Sequence, residues 1–207
     1  MNAWNVTTRT LNNNCLAVHV IKEGEFIMPL PKEQLYTIED IYALSEGNRA
    51  ELIDGQMYMM APPSRHHQKV VSYLHAAIYN YINSKNGSCE VYPAPFAVFL
   101  NTDDKNYVEP DISVICDRNK LTDKGCTGAP DWIIEIVSPS SRYMDYGIKL
   151  FKYRSAGARE YWIVDPDKKR ITVWDFTNDS TEEFSFSDSV KAGIYPDLTI
   201  DFQQLDI

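Results

Sequence analysis

The chain has 207 residues, with 20 Lys plus Arg against 29 Asp plus Glu and a formal net charge of −9 at pH 7. That length suits one domain, or one domain with an appendage, and buries enough surface to fold without a disulfide or a metal. The charge excludes a generically polycationic nucleic-acid binder, but not a metal-dependent nuclease whose own site is rich in carboxylates.

No stretch reaches the roughly 18 apolar residues of a membrane span, and Met1 to Asn14 lacks the layout of a signal peptide. Cys15, Cys89, Cys116 and Cys126 show no zinc-site spacing. They read as reduced, mostly buried thiols, and the expected compartment is the cytoplasm, with no membrane partner. Cys15 to Ile21 could form a short strand.

Thr37-Ile38-Glu39-Asp40 has the form of a capping box, opening a short helix that stops at Gly47. Glu51 to Met60 reads as a hairpin turning at Asp54-Gly55. Ala61-Pro62-Pro63-Ser64 then starts a long helix with apolar or amphipathic residues at 67, 70, 71, 74, 78, 81 and 82, ended by Asn86-Gly87. Strands are expected at Glu90–Tyr92, Phe96–Leu100, Tyr107–Cys116 and Trp132–Val137, and a second helix from Ser141 to Arg154. A hairpin over Glu160–Val164 and Ile171–Phe176 and a polar tail complete the chain. Helices interspersed with runs of strands predict an α/β or α+β fold with a mixed sheet.

Strand parity singles out three carboxylates. In an unbroken strand Tyr107–Cys116, Val108, Ile112, Val114 and Cys116 share one face, and Glu109 and Asp111 the other. Glu135 lies between apolar neighbours on both faces of its strand, a costly place for a carboxylate that is neither paired nor bound to a cation. Asp111 and Glu135 could be held by Arg or Lys, or could together ligate a hard divalent metal.

The local text resembles a large bacterial family of restriction-endonuclease-like proteins, the Uma-type family of the PD-(D/E)XK nuclease superfamily. The matching segments are Glu51 to Met60, Ala61-Pro62-Pro63-Ser64 with His67-Gln68, Glu109-Pro110-Asp111-Ile112-Ser113-Val114, Ile134 to Ser140 and Glu160 to Pro166, in the family's order over about residues 33–204. Residues 1–32 form an N-terminal extension outside the resemblance, and 33–207 the endonuclease-like domain.

The resemblance implies a restriction-endonuclease-like core, a central mixed sheet flanked by helices. It implies Mg²⁺ or Mn²⁺ held by Asp111 and Glu135, with the Ile136 carbonyl available as a further oxygen donor, and hydrolysis of DNA phosphodiester bonds. The lysine expected two residues after Glu135 is replaced by Val137, and the family's alternative lysine, on the following helix, matches Lys149. Helix geometry alone leaves Lys149 open to a second reading, a solvated lysine paired with Asp145. Glu51 is carried over as a further catalytic acid, although it could equally be a solvated residue at a strand start. His67, Gln68 and Tyr153 are accessory candidates: His67 could be a core or capping histidine, and Tyr153 could orient Lys149 or only pack. Asp165, before Pro166, is explained by an Asx turn. The alternatives to a DNA endonuclease are a non-catalytic nucleic-acid-binding or assembly module on the same fold and a hydrolase of another phosphate ester. A homodimer is expected, because duplex cleavage suits two-fold symmetry.

Overall fold

The computed structural model describes residues 34–207. The strand expected over Cys15–Ile21, the thiol of Cys15 and the extension 1–32 lie outside the described residues. Asp40 accepts the Thr37 N–H at 2.7 Å at the start of α1 (Ile38–Tyr42). This helix ends well before Gly47, and none of its residues is buried, so no packing extends it. Strands β1 (Ala50–Ile53) and β2 (Gln56–Met59) pair antiparallel across Asp54 and Gly55, whose φ values of 51° and 79° are those of a two-residue hairpin turn. The Ser64 side chain accepts the His67 N–H and caps α2 (Arg65–Ser84), which buries Val70, Val71, Leu74, Ile78 and Ile82.

Next come β3 (Glu90–Pro93), β4 (Val98–Phe99), β5 (Tyr107–Val108), β6 (Ile112–Ile115), β7 (Leu121–Thr122), β8 (Gly125–Thr127) and β9 (Trp132–Ile136). A π-turn over Met144–Lys149 runs into α3 (Leu150–Ala156), which ends at left-handed Gly157. The chain finishes with β10 (Glu160–Asp165), β11 (Arg170–Asp175), β12 (Ser180–Ser185), β13 (Ser189–Lys191) and β14 (Thr199–Asp201).

The main sheet has the order β12-β11-β10-β9-β6-β3. Its one parallel pair, β9 with β10, is joined through α3, and the other pairs are antiparallel. A second six-stranded sheet, β2-β1-β5-β4-β8-β7, and the small β13-β14 pair complete a mixed α+β fold. Residue parity on β9 divides the core. Trp132, Ile134 and Ile136 face α2, whereas Ile133 and Val137 face the layer that holds Tyr153 of α3. Glu135 alternates with its neighbours and so points toward α3.

Four expectations need correction. Tyr107–Cys116 is not one strand: it breaks at Glu109-Pro110-Asp111 and sends β5 and β6 into different sheets. Pro110 has no N–H for a ladder, while the Glu109 N–H donates to Glu51 Oε1 at 3.0 Å, side chain replacing strand. Val108 therefore packs in the α3 layer and Ile112 and Val114 in the α2 layer. The helix expected from Ser141 to Arg154 is divided by the π-turn. Cys89 and Cys116 are not reduced thiols but a disulfide, with S–S 2.07 Å, because the antiparallel register that pairs Glu90 with Ile115 brings them opposite one another. Only Cys126, among the described residues, is a free buried thiol. The polar tail is a structural part of the core: Val190, Ala192, Leu198, Ile200, Phe202 and Leu205 are buried against the α2 layer.

Candidate active site

The start of β1, the break before β6, the end of β9 and the π-turn meet along one wall of a cavity of about 710 Å³. Glu51, Asp111, Glu135, Asp145 and Lys149 all line it, and β2, the Pro62-Pro63 bend and Ser138–Ser141 form much of the rest. Its size is that of a small-ligand cleft.

Asp111 stands immediately after the Pro110 break. Its Oδ2 accepts the Ile136 N–H at 2.8 Å and lies 3.1 Å from His67 Nε2, while its own N–H reaches Glu135 Oε2 at 3.4 Å. Residues 24 apart in sequence are thus neighbours because β6 and β9 are adjacent strands. Glu135 Oε1 accepts the Tyr153 hydroxyl at 2.6 Å and the Lys149 ammonium at 3.0 Å. Lys149 also donates to Glu51 Oε1 at 2.9 Å. Its side chain is only 6 % exposed. The solvated alternatives for Lys149 and Glu51 therefore do not describe the molecule.

The electrostatics follow from burial. Desolvation by itself would lower the Lys149 pKa, but Glu135, Glu51 and Asp145 outweigh it and hold the ammonium well above its usual range. Burial pushes Glu135 well above the usual carboxylate range; Lys149 opposes the rise, and Asp111, Asp145 and Glu51 add to it. Asp145 is raised to about 6, again chiefly by burial and with Lys149 opposing. At His67, burial pulls downward but hydrogen bonding and charge from Asp111 prevail, and the imidazole is raised.

Of the accessory candidates, His67 meets Asp111, and Tyr153 holds Glu135 rather than Lys149. Gln68 lines the cavity as an exposed residue with no side-chain hydrogen bond to the acids. Glu109, expected beside Asp111, is turned away to Arg49 and the Tyr107 hydroxyl, the latter at 2.6 Å. Asp165 does more than form a turn: besides accepting the Lys168 N–H at 3.1 Å, it is fully buried and paired with Arg142. The residue missed as a site member is Asp145. Its spacing four before Lys149 was visible, but nothing in the sequence shows that both are buried.

Among the described residues, no three His, Cys, Asp or Glu side chains form a ready-made metal-holding set. The ammonium of Lys149 stands between Glu51 and Glu135, where it serves as the local cation. Glu51, Asp111, Glu135 and Asp145 nevertheless gather around the one buried ammonium of Lys149 and the His67 imidazole, and Asp145 Oδ1 is buried without a hydrogen-bond partner. Hard oxygen donors in excess of their counter-charge fit a divalent cation, and Asp111 and Glu135 could both contribute to holding it.

The chain is similar to known proteins in sequence and in fold. An uncharacterized protein, slr1290, from Synechocystis sp. (strain ATCC 27184 / PCC 6803 / Kazusa) is 28% identical over 131 residues, covering 62% of this chain and 67% of that protein. A crystal structure described as a putative nuclease belonging to DUF820, from Anabaena variabilis ATCC 29413, superposes with a TM-score of 0.67 at 22% identity. The match covers 82% of this chain and 96% of that one, and it shows a shared fold. The Uma2 family model, described as "Putative restriction endonuclease", matches residues 33–203, and the chain belongs to that family.

Proposed function

We propose that this protein is a divalent-metal-dependent endonuclease that hydrolyses DNA phosphodiester bonds. The observation that carries the reading is the meeting of Asp111 and Glu135 at the ends of adjacent strands, with a buried ammonium from Lys149 bonded to Glu135. The family description and the nuclease title of the Anabaena structure support the same reaction class. Asp111 and Glu135 would hold Mg²⁺ or Mn²⁺. When bound, such an ion polarises a phosphoryl oxygen and makes water a better nucleophile.

The protein's own groups do the rest. Tyr153 and Lys149 fix the Glu135 carboxylate from one side, and the Ile136 N–H and His67 fix Asp111 from the other. Lys149 supplies positive charge beside the place where phosphoryl charge grows as water bonds to phosphorus and an ester P–O bond breaks. The departing oxygen then takes up a proton. His66 and Lys169 line the same cavity and would position flanking phosphates, which set register rather than sequence choice. A homodimer would present one such site to each strand of a duplex.

The test is cleavage of labelled duplex and single-stranded DNA with Mg²⁺, with Mn²⁺ and with chelator, in the parent protein and in Asp111→Asn and Glu135→Gln. Metal-dependent cleavage that both substitutions abolish is the expected result. Metal binding and DNA binding without cleavage would favour the non-catalytic module. Hydrolysis of small phosphodiesters with no effect on DNA would favour the other phosphoesterase.

A further inference from the structure

Asp145 is 1 % exposed and lines the cavity, and its Oδ1 has no hydrogen-bond partner. A buried acceptor left unpaired costs free energy, so a place is being kept for a donor. The backbone holds the residue there. Its N–H donates to the Ser141 carbonyl at 3.0 Å, and its carbonyl accepts the Tyr161 hydroxyl at 3.0 Å. Oδ1 faces Lys149 Nζ across 3.8 Å, too far for a hydrogen bond. An ammonium has three protons, and Glu51 and Glu135 take bonds of 2.9 and 3.0 Å from this one.

We propose that Asp145 is a positioning residue, the second seat of the Lys149 ammonium. When Glu135 turns to a divalent cation, Lys149 keeps Glu51 and closes the gap to Asp145 Oδ1. The inference rests on the metal reading of Asp111 and Glu135 given above.

Without this seat, metal binding would strip a buried ammonium of one of its two partners, a costly loss in a poorly solvated site. With it, a shift of about 1 Å by a flexible four-carbon stem brings Nζ into hydrogen-bond range of a carboxylate already in place. The π-turn makes the exchange local, since Asp145 and Lys149 belong to the same turn of backbone. Burial raises the Asp145 pKa, and the Lys149 charge and the Ser141 side chain oppose the rise.

The experiment is a Mn²⁺ titration by calorimetry on four proteins: the parent, Asp145→Asn, Lys149→Met and the double variant, with metal-free melting temperatures recorded alongside. Asp145→Asn should melt no lower than the parent without metal, because it replaces a buried charged carboxylate by a neutral amide of the same shape. Its Mn²⁺ Kd should weaken about tenfold. In the Lys149→Met background the same substitution should change Kd less than twofold, because there is no ammonium to reseat. An unchanged Kd in Asp145→Asn overturns the proposal. So does equal weakening in both backgrounds, which would be a plain loss of negative charge near the ion. A flat titration of the parent removes the metal reading and this inference with it, whereas a parent that binds Mn²⁺ and an indifferent Asp145→Asn remove this inference alone. Should Asp145→Asn not fold by circular dichroism, Asp145→Ser takes its place with the same expectations.

Discussion

Glu135 and Lys149 are each expensive to bury alone, and each makes the other tolerable. Removing one partner of such a pair leaves an uncompensated charge, so single substitutions here act on stability as well as on rate. Lys149→Ala should lower the cleavage rate by roughly 10²–10³-fold while Mn²⁺ binding is retained, on the scale of losing one charge-stabilising donor. Single-turnover kinetics with a parallel calorimetric Kd checks both halves. Val137→Lys in the same protein should recover part of the loss, because residue 137 lies on the same side of the strand as Glu135. The acids also set a pH dependence. Asp145 has a folded pKa of about 6 against 3.8 ordinarily. The native state then holds more protons than the unfolded one between these values, and metal-free stability should fall as pH rises from about 4 to about 6. The fall is at most about 1.4 kcal/mol per pH unit from this group. Urea unfolding across that range should show the slope, and Asp145→Asn should flatten it.

At the scale of elements, the site depends on interruptions of regular structure. Pro110 ends β5, and the break delivers Asp111 to the end of β9 instead of leaving it on a strand face beside Glu109. The π-turn places Asp145 and Lys149 inward together, and the Ser64 cap sets the first turn of α2, from which His67 reaches Asp111. The C-terminal segment is locked by Glu160, whose carboxylate accepts Gly193 N–H at 2.9 Å, Ile194 N–H at 2.8 Å and Trp162 Nε1–H at 2.6 Å. Burial raises the Glu160 pKa, and these three donors oppose the rise. Glu160→Ala strands all three donors and should cost roughly 2–4 kcal/mol in denaturant unfolding, with Glu160→Gln milder because an acceptor oxygen remains.

For the whole molecule, the excess of buried acid means that the metal-free form carries a penalty that a bound cation would relieve. Mn²⁺ should therefore raise the melting temperature of the parent by preferential binding to the native state, and chelator should reverse it. The double variant Asp111→Asn with Glu135→Gln should show no such rise by differential scanning calorimetry. Light scattering at micromolar concentration should give a mass of two chains, of 23.7 kDa each, if the proposed dimer forms.

The chain by itself determined the elements whose signals are local. Asp54-Gly55 specifies its turn through backbone conformations open to few residues, α2 through its capping serine and 3.6-residue stripe, and the inward face of β9 through two-residue alternation. It also singled out Asp111, Glu135 and Lys149, partly by parity and partly by resemblance. Only the tertiary structure decided what depends on residues distant in sequence. It showed that Tyr153 holds Glu135, that Glu109 pairs with Arg49, that Cys89 meets Cys116, and that Lys149 is buried with Asp145 rather than paired with it in water. Periodicity reports which side of an element is apolar. It does not report which strand lies alongside, and the pairing of β6 with β9 is what converts separate carboxylates into one site.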